Sequence, residues 1–282
     1  MTVKAVQQIM LGSICKNEAQ ILQTLHAVKN AGFDGIELNG FMTRPTSLMV
    51  RLMTKAAGMP IGKGGNFDWA ELTKEAGMQI VSLHTDLGSL KRDAAAIVSD
   101  AEKYKTDKIV ITGMYRFDYS DPKAIKQLAD DLNDCGKTLH KEGLQLLYHN
   151  HNVEFRKLPN GQTAYSYLIE HTDPEFLNFE FDSYWPTEAG VSAIALMKRL
   201  GDRIKLYHIN DRGTKTAGPS MTPILKSDSM ELGTGNMNLD ELIRQALDVS
   251  VDSIVLETHK NWIDNSPLKS IQVSGEFLKE YL

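Results

Sequence analysis

"AGFDGIELNG" (31–40), "AGMQIVSL" (76–83) and "EGLQLLY" (142–148) share one local pattern. An amphipathic segment stops at a glycine, and an apolar, β-prone run begins at once. A glycine just past a helix adopts the left-handed conformation that lets the last carbonyls find partners. Helix end, glycine and strand in succession are the αβ turn of a repeating βα unit.

Working outward from these turns, eight runs read as strands: "QIMLGSI" (8–14), "DGIELNG" (34–40), "MQIVSLH" (78–84), "DKIVITG" (107–113), "LQLLYHN" (144–150), "LNFEFD" (177–182), "IKLYHIN" (204–210) and "SIVLET" (253–258). Each is continuously apolar rather than alternating, as expected for strands of a parallel sheet buried on both faces. Helical patterns lie between them. "DPKAIKQLADDLNDCGKTLHKEG" (121–143) starts with Asp121 as N-cap and Pro122 in the first turn, and closes at Gly143. Eight βα units in 282 residues predict an α/β protein, a (β/α)8 TIM barrel forming one domain over 1–282. An open doubly wound sheet is the alternative, weakened because no GxGxxG follows the first strand. The insert "RGTKTAGPSMTPILKSDSMELGTG" (212–235) is expected to loop over one face.

With 31 basic and 36 acidic residues, the net charge of −5 gives no electrostatic reason to expect nucleic acid or an anionic membrane as partner. Cys15 and Cys135 lack CxxC spacing, which speaks against a disulfide framework or a thiolate zinc site and fits a reducing compartment. The first residues lack a secretory pattern, and no apolar run reaches the length of a membrane span. A cytoplasmic protein is expected, with a homo-oligomer compatible but unspecified.

Catalytic groups of such barrels project from the C-terminal strand ends. Those ends carry Glu37, His84, His149 with His151 and Glu154, Asp182, His208 with Asp211, and Glu257 with His259. Each has a plain structural reading: Glu37 bonded to a backbone amide, His84 or His208 satisfied in the core, Asp182 capping the next helix. Their recurrence at equivalent places in the repeat points further. Charges are seldom buried unpaired, and a ring of them needs a shared counter-charge. One divalent cation supplies it. Carboxylates with imidazoles and no thiolate suit Mn²⁺, Zn²⁺, Co²⁺, Fe²⁺ or Mg²⁺, with imidazole tilting the choice away from Mg²⁺.

The segments "AGFDGIELNG", "IVSLH", "YHNHNVEF", "FDSYW", "RIKLYHIND", "ELGTGNMNLDELI" and "VLETH" together resemble the sugar phosphate isomerase/epimerase family of xylose-isomerase-like TIM barrels, which includes inosose dehydratases and isomerases. The resemblance covers essentially the whole chain. It implies one divalent metal at the barrel top, held from strands 5 to 8, most often by Glu, Asp, His and Glu. Asp182, His208 and Glu257 match three of these positions. The fourth departs: His149 aligns where many members have glutamate, and the nearest carboxylate is Glu154. The expected set is therefore Glu154, Asp182, His208 and Glu257, with His149 replacing Glu154 as the rival assignment.

What the resemblance implies for chemistry follows. A cation chelating a carbonyl and a neighbouring hydroxyl acidifies the C–H between them. Glu257 is the expected base, with His149 and His151 as the further catalytic groups. Glu37, His84, Trp185, Asp211 and His259 are expected at the substrate, a sugar or cyclitol. Isomerisation or epimerisation is the first expectation. Replacement of the strand-5 glutamate by histidine raises the alternative, a dehydratase or lyase that expels a β-oxygen. Two other classes compete: a barrel relative that cleaves abasic DNA, disfavoured by the acidic chain, and a non-catalytic sugar-binding module. In "ELGTGNMNLDELI" the expected device is a helix start, Asn238 capping and Glu241 answering three residues later.

Overall fold

The computed structural model describes residues 1–44, 67–215, 218–258 and 260–282. Eight parallel strands close a barrel: β1 (Val3–Gln7), β2 (Gly35–Asn39), β3 (Gln79–Thr85), β4 (Lys108–Thr112), β5 (Gln145–His149), β6 (Leu177–Asp182), β7 (Ile204–Ile209) and β10 (Ser253–Leu256). β10 pairs with both β7 and β1, which leaves the barrel without an edge. Between β7 and β10, the short strands β8 (Asp211–Gly213) and β9 (Asp228–Met230) form an antiparallel ribbon. The helices of the outer layer include α1 (Glu18–Asn30), α3 (Trp69–Glu75), α6 (Pro122–His140), α8 (Tyr184–Glu188), α10 (Leu239–Asp248) and α11 (Pro267–Leu278), with α2 (Gly40–Thr43) a single turn after β2. The others are α4 (Leu87–Arg92), α5 (Ala94–Tyr104), α7 (Ala164–His171) and α9 (Ala193–Leu200). None of the described helices is long and apolar enough to cross a membrane.

The three glycine turns are as expected: Gly32, Gly77 and Gly143 have φ of +92°, +66° and +74°. A side chain there would strain the backbone by roughly 1–2 kcal/mol, because Cβ crowds the following carbonyl. Asp121 caps α6 by accepting from the Lys123 amide at 2.9 Å. Asn238 caps α10 by accepting from the Glu241 amide at 3.4 Å, and its side-chain amide donates to Glu241 at 3.0 Å.

The first strand is a correction. It occupies Val3–Gln7, and Gln8–Leu11 of the expected 8–14 run form a 3₁₀ turn. Met10 and Leu11 are buried in the core, so this short apolar run carries the same pattern a buried strand would. Gln7 ends the strand and Gln8 opens the turn. Gln7 Oε1 accepts from the Ile9 amide at 2.5 Å and from Asn39 Nδ2 at 2.9 Å, while Gln8 Oε1 accepts from the Asn39 amide at 2.8 Å.

Inside the barrel, side chains alternate along each strand, and the inward rows change character near the top. Leu147 precedes His149, Leu206 precedes His208 and Val255 precedes Glu257 on the same face. Val110, Leu147 and Leu206 form a separate apolar plug, as do Ala5, Val81 and Val255. The polar groups thus stand on a dry floor. At the other end Arg203 donates to the carbonyls of Ile169 and Leu177, each at 2.8 Å, and to Thr172 Oγ1 at 2.9 Å. Its guanidinium lies 4.8 Å from the Phe179 ring centre. Lys205 donates to the Asp202 carbonyl at 2.7 Å.

Candidate metal centre

Six strands bring seven ionisable side chains to one place. Strand register sets which are neighbours: His149 pairs with Glu180, and Asp182 with His208. Glu180 and Asp182 are two residues apart on β6 and face the same way, with Glu180 one layer deeper.

His208 is the hub. Its Nε2 lies 2.7 Å from Glu37 Oε1 and 3.3 Å from Glu180 Oε2, and its Nδ1 lies 3.1 Å from Glu257 Oε2. His84 Nε2 sits 2.8 Å from Glu37 Oε1 and 2.9 Å from Glu180 Oε2. His149 Nδ1 is 2.9 Å from Glu180 Oε2, and Ser82 donates its hydroxyl to Glu37 Oε2. Glu37, Glu180 and His208 are fully buried. Burial opposes charge on His84, but Glu37 and Glu180 beside it raise its pKa to about 10. Burial likewise opposes charge on His208, yet Glu180 and Glu37 hold it well above the usual imidazole range. Against its own burial, Glu180 is held well below the usual carboxylate range by His208 and His84.

His149, Asp182, His208 and Glu257 each offer one donor atom, all within 4.8 Å of one another. Two carboxylates and two imidazoles balance a divalent charge, and the absence of thiolate matches the borderline and hard cations expected. His149 is oriented for this role. A proton on Nδ1 shared with Glu180 leaves Nε2 as the lone-pair donor, the usual carboxylate–histidine–metal arrangement. The donor set fits a divalent cation.

The strand-5 segment therefore divides its labour residue by residue. His149 turns into the centre. Asn150 clamps the neighbouring strand end, its Oδ1 accepting from the Asp182 amide at 3.1 Å and its Nδ2 donating to the Asp182 carbonyl at 3.0 Å. His151 is half-buried, with its ring centre 4.9 Å from that of His149 and 5.4 Å from that of Trp185. Glu154 corrects the expected ligand set. The 3₁₀ turn Val153–Phe155 carries it away from the centre, where Tyr148 donates to Oε1 at 2.8 Å and the His151 amide to Oε2 at 3.0 Å. Burial pushes the Glu154 carboxyl above its ordinary pKa. The rival assignment, His149, is the strand-5 residue in the group of four.

Asp182 stands where both of its readings put it. Besides belonging to the donor set, its Oδ1 accepts from the Tyr184 and Trp185 amides at 2.7 and 3.3 Å, capping α8. Glu37 and His84, expected against the substrate, are joined to His208 and Glu180. Asp211 is a further correction. Its Oδ1 accepts from the Arg212 and Met237 amides at 2.8 and 3.1 Å, and its Oδ2 from the Gly233 and Gly235 amides at 3.1 and 2.9 Å. Four amides consume the carboxylate, so it braces the 233–237 loop. A Cβ at Gly235 would come within 2.6 Å of the Arg212 carbonyl oxygen, which is why that bracket needs glycine. Glu231 turns inward too, accepting from the Ile263 amide at 2.9 Å. His259 lies outside the described residues.

Glu180 was missed in the sequence, because only strand ends were read. Its signal was available: in "LNFEFD" a glutamate between two phenylalanines shares the face of Asp182.

Residues 25–281 match the family model described as xylose isomerase-like TIM barrel. An inosose dehydratase of Mesomycoplasma hyopneumoniae is 29% identical over 130 residues, which is 46% of this chain and 38% of that relative's length. An inosose dehydratase of Salmonella agona is 25% identical over 276 residues, covering 92% of this chain and 89% of the relative. Among solved structures, a sugar phosphate isomerase/epimerase from Parabacteroides distasonis superposes with a TM-score of 0.77 at 18% identity, over 99% of this chain and 93% of that one. The chain belongs to the xylose isomerase-like TIM barrel family.

Proposed function

We propose that this protein is a divalent-metal-dependent carbon–oxygen lyase that dehydrates a small keto-polyol, a keto-sugar or an inosose. One observation carries the reading: the strand-5 donor is the imidazole of His149, and the only nearby carboxylate on that segment, Glu154, is buried against Tyr148. Epimerisation by two facing carboxylates would need a second one from strand 5, where the group of four has an imidazole. Within the donor set, Glu257 is the carboxylate with some solvent access, 7% exposed against 1% for Asp182. The dehydratase names of the two curated relatives point the same way.

A divalent cation held by His149, Asp182, His208 and Glu257 would polarise the substrate carbonyl and acidify the adjacent C–H. Glu257 removes that proton, and the electron pair moves toward the carbonyl oxygen. The β-hydroxyl leaves as water with a proton from His151, giving an unsaturated ketone. His151 takes the acid role alone, since His149 is committed to the cation and to Glu180. Trp185, beside His151, offers an apolar wall to the C–H edges of the ring. Arg212, Lys215 and Lys260 around the mouth ribbon are paired with Glu188, Glu231 and Asp228, which favours an unphosphorylated substrate.

Isomerase or epimerase activity stands second. Proton NMR in D₂O, with Mn²⁺- or Zn²⁺-loaded protein and a panel of keto-sugars and inososes, separates the outcomes. Loss of the β-hydroxyl with a new vinyl signal supports the lyase. A deuterated epimer or aldose–ketose conversion without elimination refutes it.

A further inference from the structure

A second ring of four shares His208 with the four donors and reaches one layer deeper at Glu180. Glu37 Oε1, His208 Nε2, Glu180 Oε2 and His84 Nε2 follow one another around a square with edges of 2.7, 3.3, 2.9 and 2.8 Å. Neighbouring donors bonded to one ion at about 2.1 Å stand about 3.0 Å apart in octahedral geometry and about 3.4 Å in tetrahedral geometry. The square has the size of a coordination shell.

Hydrogen bonding alone accounts poorly for it. His84 is 5% exposed, and neither of its ring nitrogens makes a hydrogen bond of acceptable geometry, although two carboxylate oxygens lie within 2.9 Å of Nε2. The four donor atoms also lie within 4.8 Å of one another, close enough to share one ion.

We propose that the barrel holds a second cation position, lower than the first on the Glu180 side, framed by Glu37, His84, Glu180 and His208, and that the two positions exclude each other. Exclusion follows from His208. Its Nδ1 faces Glu257 and its Nε2 faces Glu37 and Glu180. A neutral imidazole has one lone pair, with the proton on the other nitrogen. An ion above uses Nδ1 and leaves Nε2–H for the buried carboxylates; an ion below uses Nε2 and leaves Nδ1–H for Glu257. This goes beyond the proposed reaction and rests on that reading only for the identity of the upper position.

Zinc content by elemental analysis after dialysis, with folding checked by circular dichroism, tests the proposal. The unaltered protein, Asp182→Asn and His84→Phe are each expected to hold one Zn²⁺ per chain, and the Asp182→Asn/His84→Phe double variant none. Two ions in the unaltered protein overturn the exclusion. A folded Asp182→Asn protein without zinc, or a folded double variant that keeps it, overturns the lower position. Glu257→Gln and Glu180→Gln replace Asp182→Asn and His84→Phe should either original unfold. The catalytic reading fails separately, through absence of elimination by the unaltered, zinc-loaded protein.

Discussion

Asn in place of Asp211 separates a loop brace from a substrate group. In the native loop four backbone amides at 2.8–3.1 Å converge on one carboxylate. A hydrogen bond to a charged group contributes about 1.5–3 kcal/mol. Asparagine keeps one acceptor oxygen, so in either orientation two amide N–H groups meet an NH₂ and lose their acceptor. Two lost bonds give about 3–6 kcal/mol if the loop holds its shape. Relaxation of the 233–237 loop and entry of water bring the expected loss to the lower end, about 3 kcal/mol. At about 2–4 °C per kcal/mol for a chain of this size, the melting temperature falls by about 6–12 °C. Calorimetry or thermal circular dichroism reads that shift, and steady-state kinetics on the same preparation reads KM. A melting temperature within about 2 °C of the unaltered protein, together with a raised KM, would refute the argument and return Asp211 to the substrate.

Four further outcomes are expected. Glu257→Gln abolishes elimination and solvent exchange at carbon while the barrel stays folded; activity within tenfold of the unaltered protein would move the base elsewhere. Glu154→Gln leaves zinc content at one per chain, because the carboxylate is bonded to Tyr148 and the His151 amide rather than to the donor set; loss of zinc on elemental analysis would reinstate it as a ligand. Arg203→Met removes three hydrogen bonds at the closed end of the barrel and lowers stability by about 2–4 kcal/mol in urea unfolding, with kcat preserved; the reverse pattern would contradict a structural role. Burial pushes the Cys15 thiol up to about 12 and that of Cys135 up to about 11, so both stay protonated at pH 8. Both should react with Ellman's reagent only on unfolding, and fast labelling of the native protein would show the burial to be wrong.

The fold was legible because its signals are local. A glycine with positive φ at Gly32, Gly77 or Gly143 is required by the turn itself, and an apolar run after it needs no knowledge of the distant chain. The first strand failed for the same reason: "QIML" is apolar because it packs into the core, and burial does not distinguish a strand from a 3₁₀ turn. That polar side chains at the ends of β5 to β7 and after β10 meet inside the barrel was also readable, since a polar residue two positions beyond an inward apolar one shares its face. The fate of Glu154 was not readable. Whether a carboxylate three residues past His151 bends back or buries itself depends on Tyr148, which is on its own segment, and on Tyr119, whose hydroxyl lies 3.0 Å from that of Tyr148 across a separate βα loop. Asp211 was misread because its four partners arrive from a loop more than twenty residues away, apart from Arg212. Local pattern finds which groups reach the mouth, and tertiary hydrogen bonds decide which remain available there.

A zinc-edge anomalous difference map from crystals soaked with Zn²⁺ and an inosose is the most direct test of the metal centre. One peak is expected at bonding distance, about 2.0–2.2 Å, from His149, Asp182, His208 and Glu257, with the ligand's oxygens on the same ion. No ion at the barrel mouth, or an ion held by Glu154 with His149 turned away, would contradict the account.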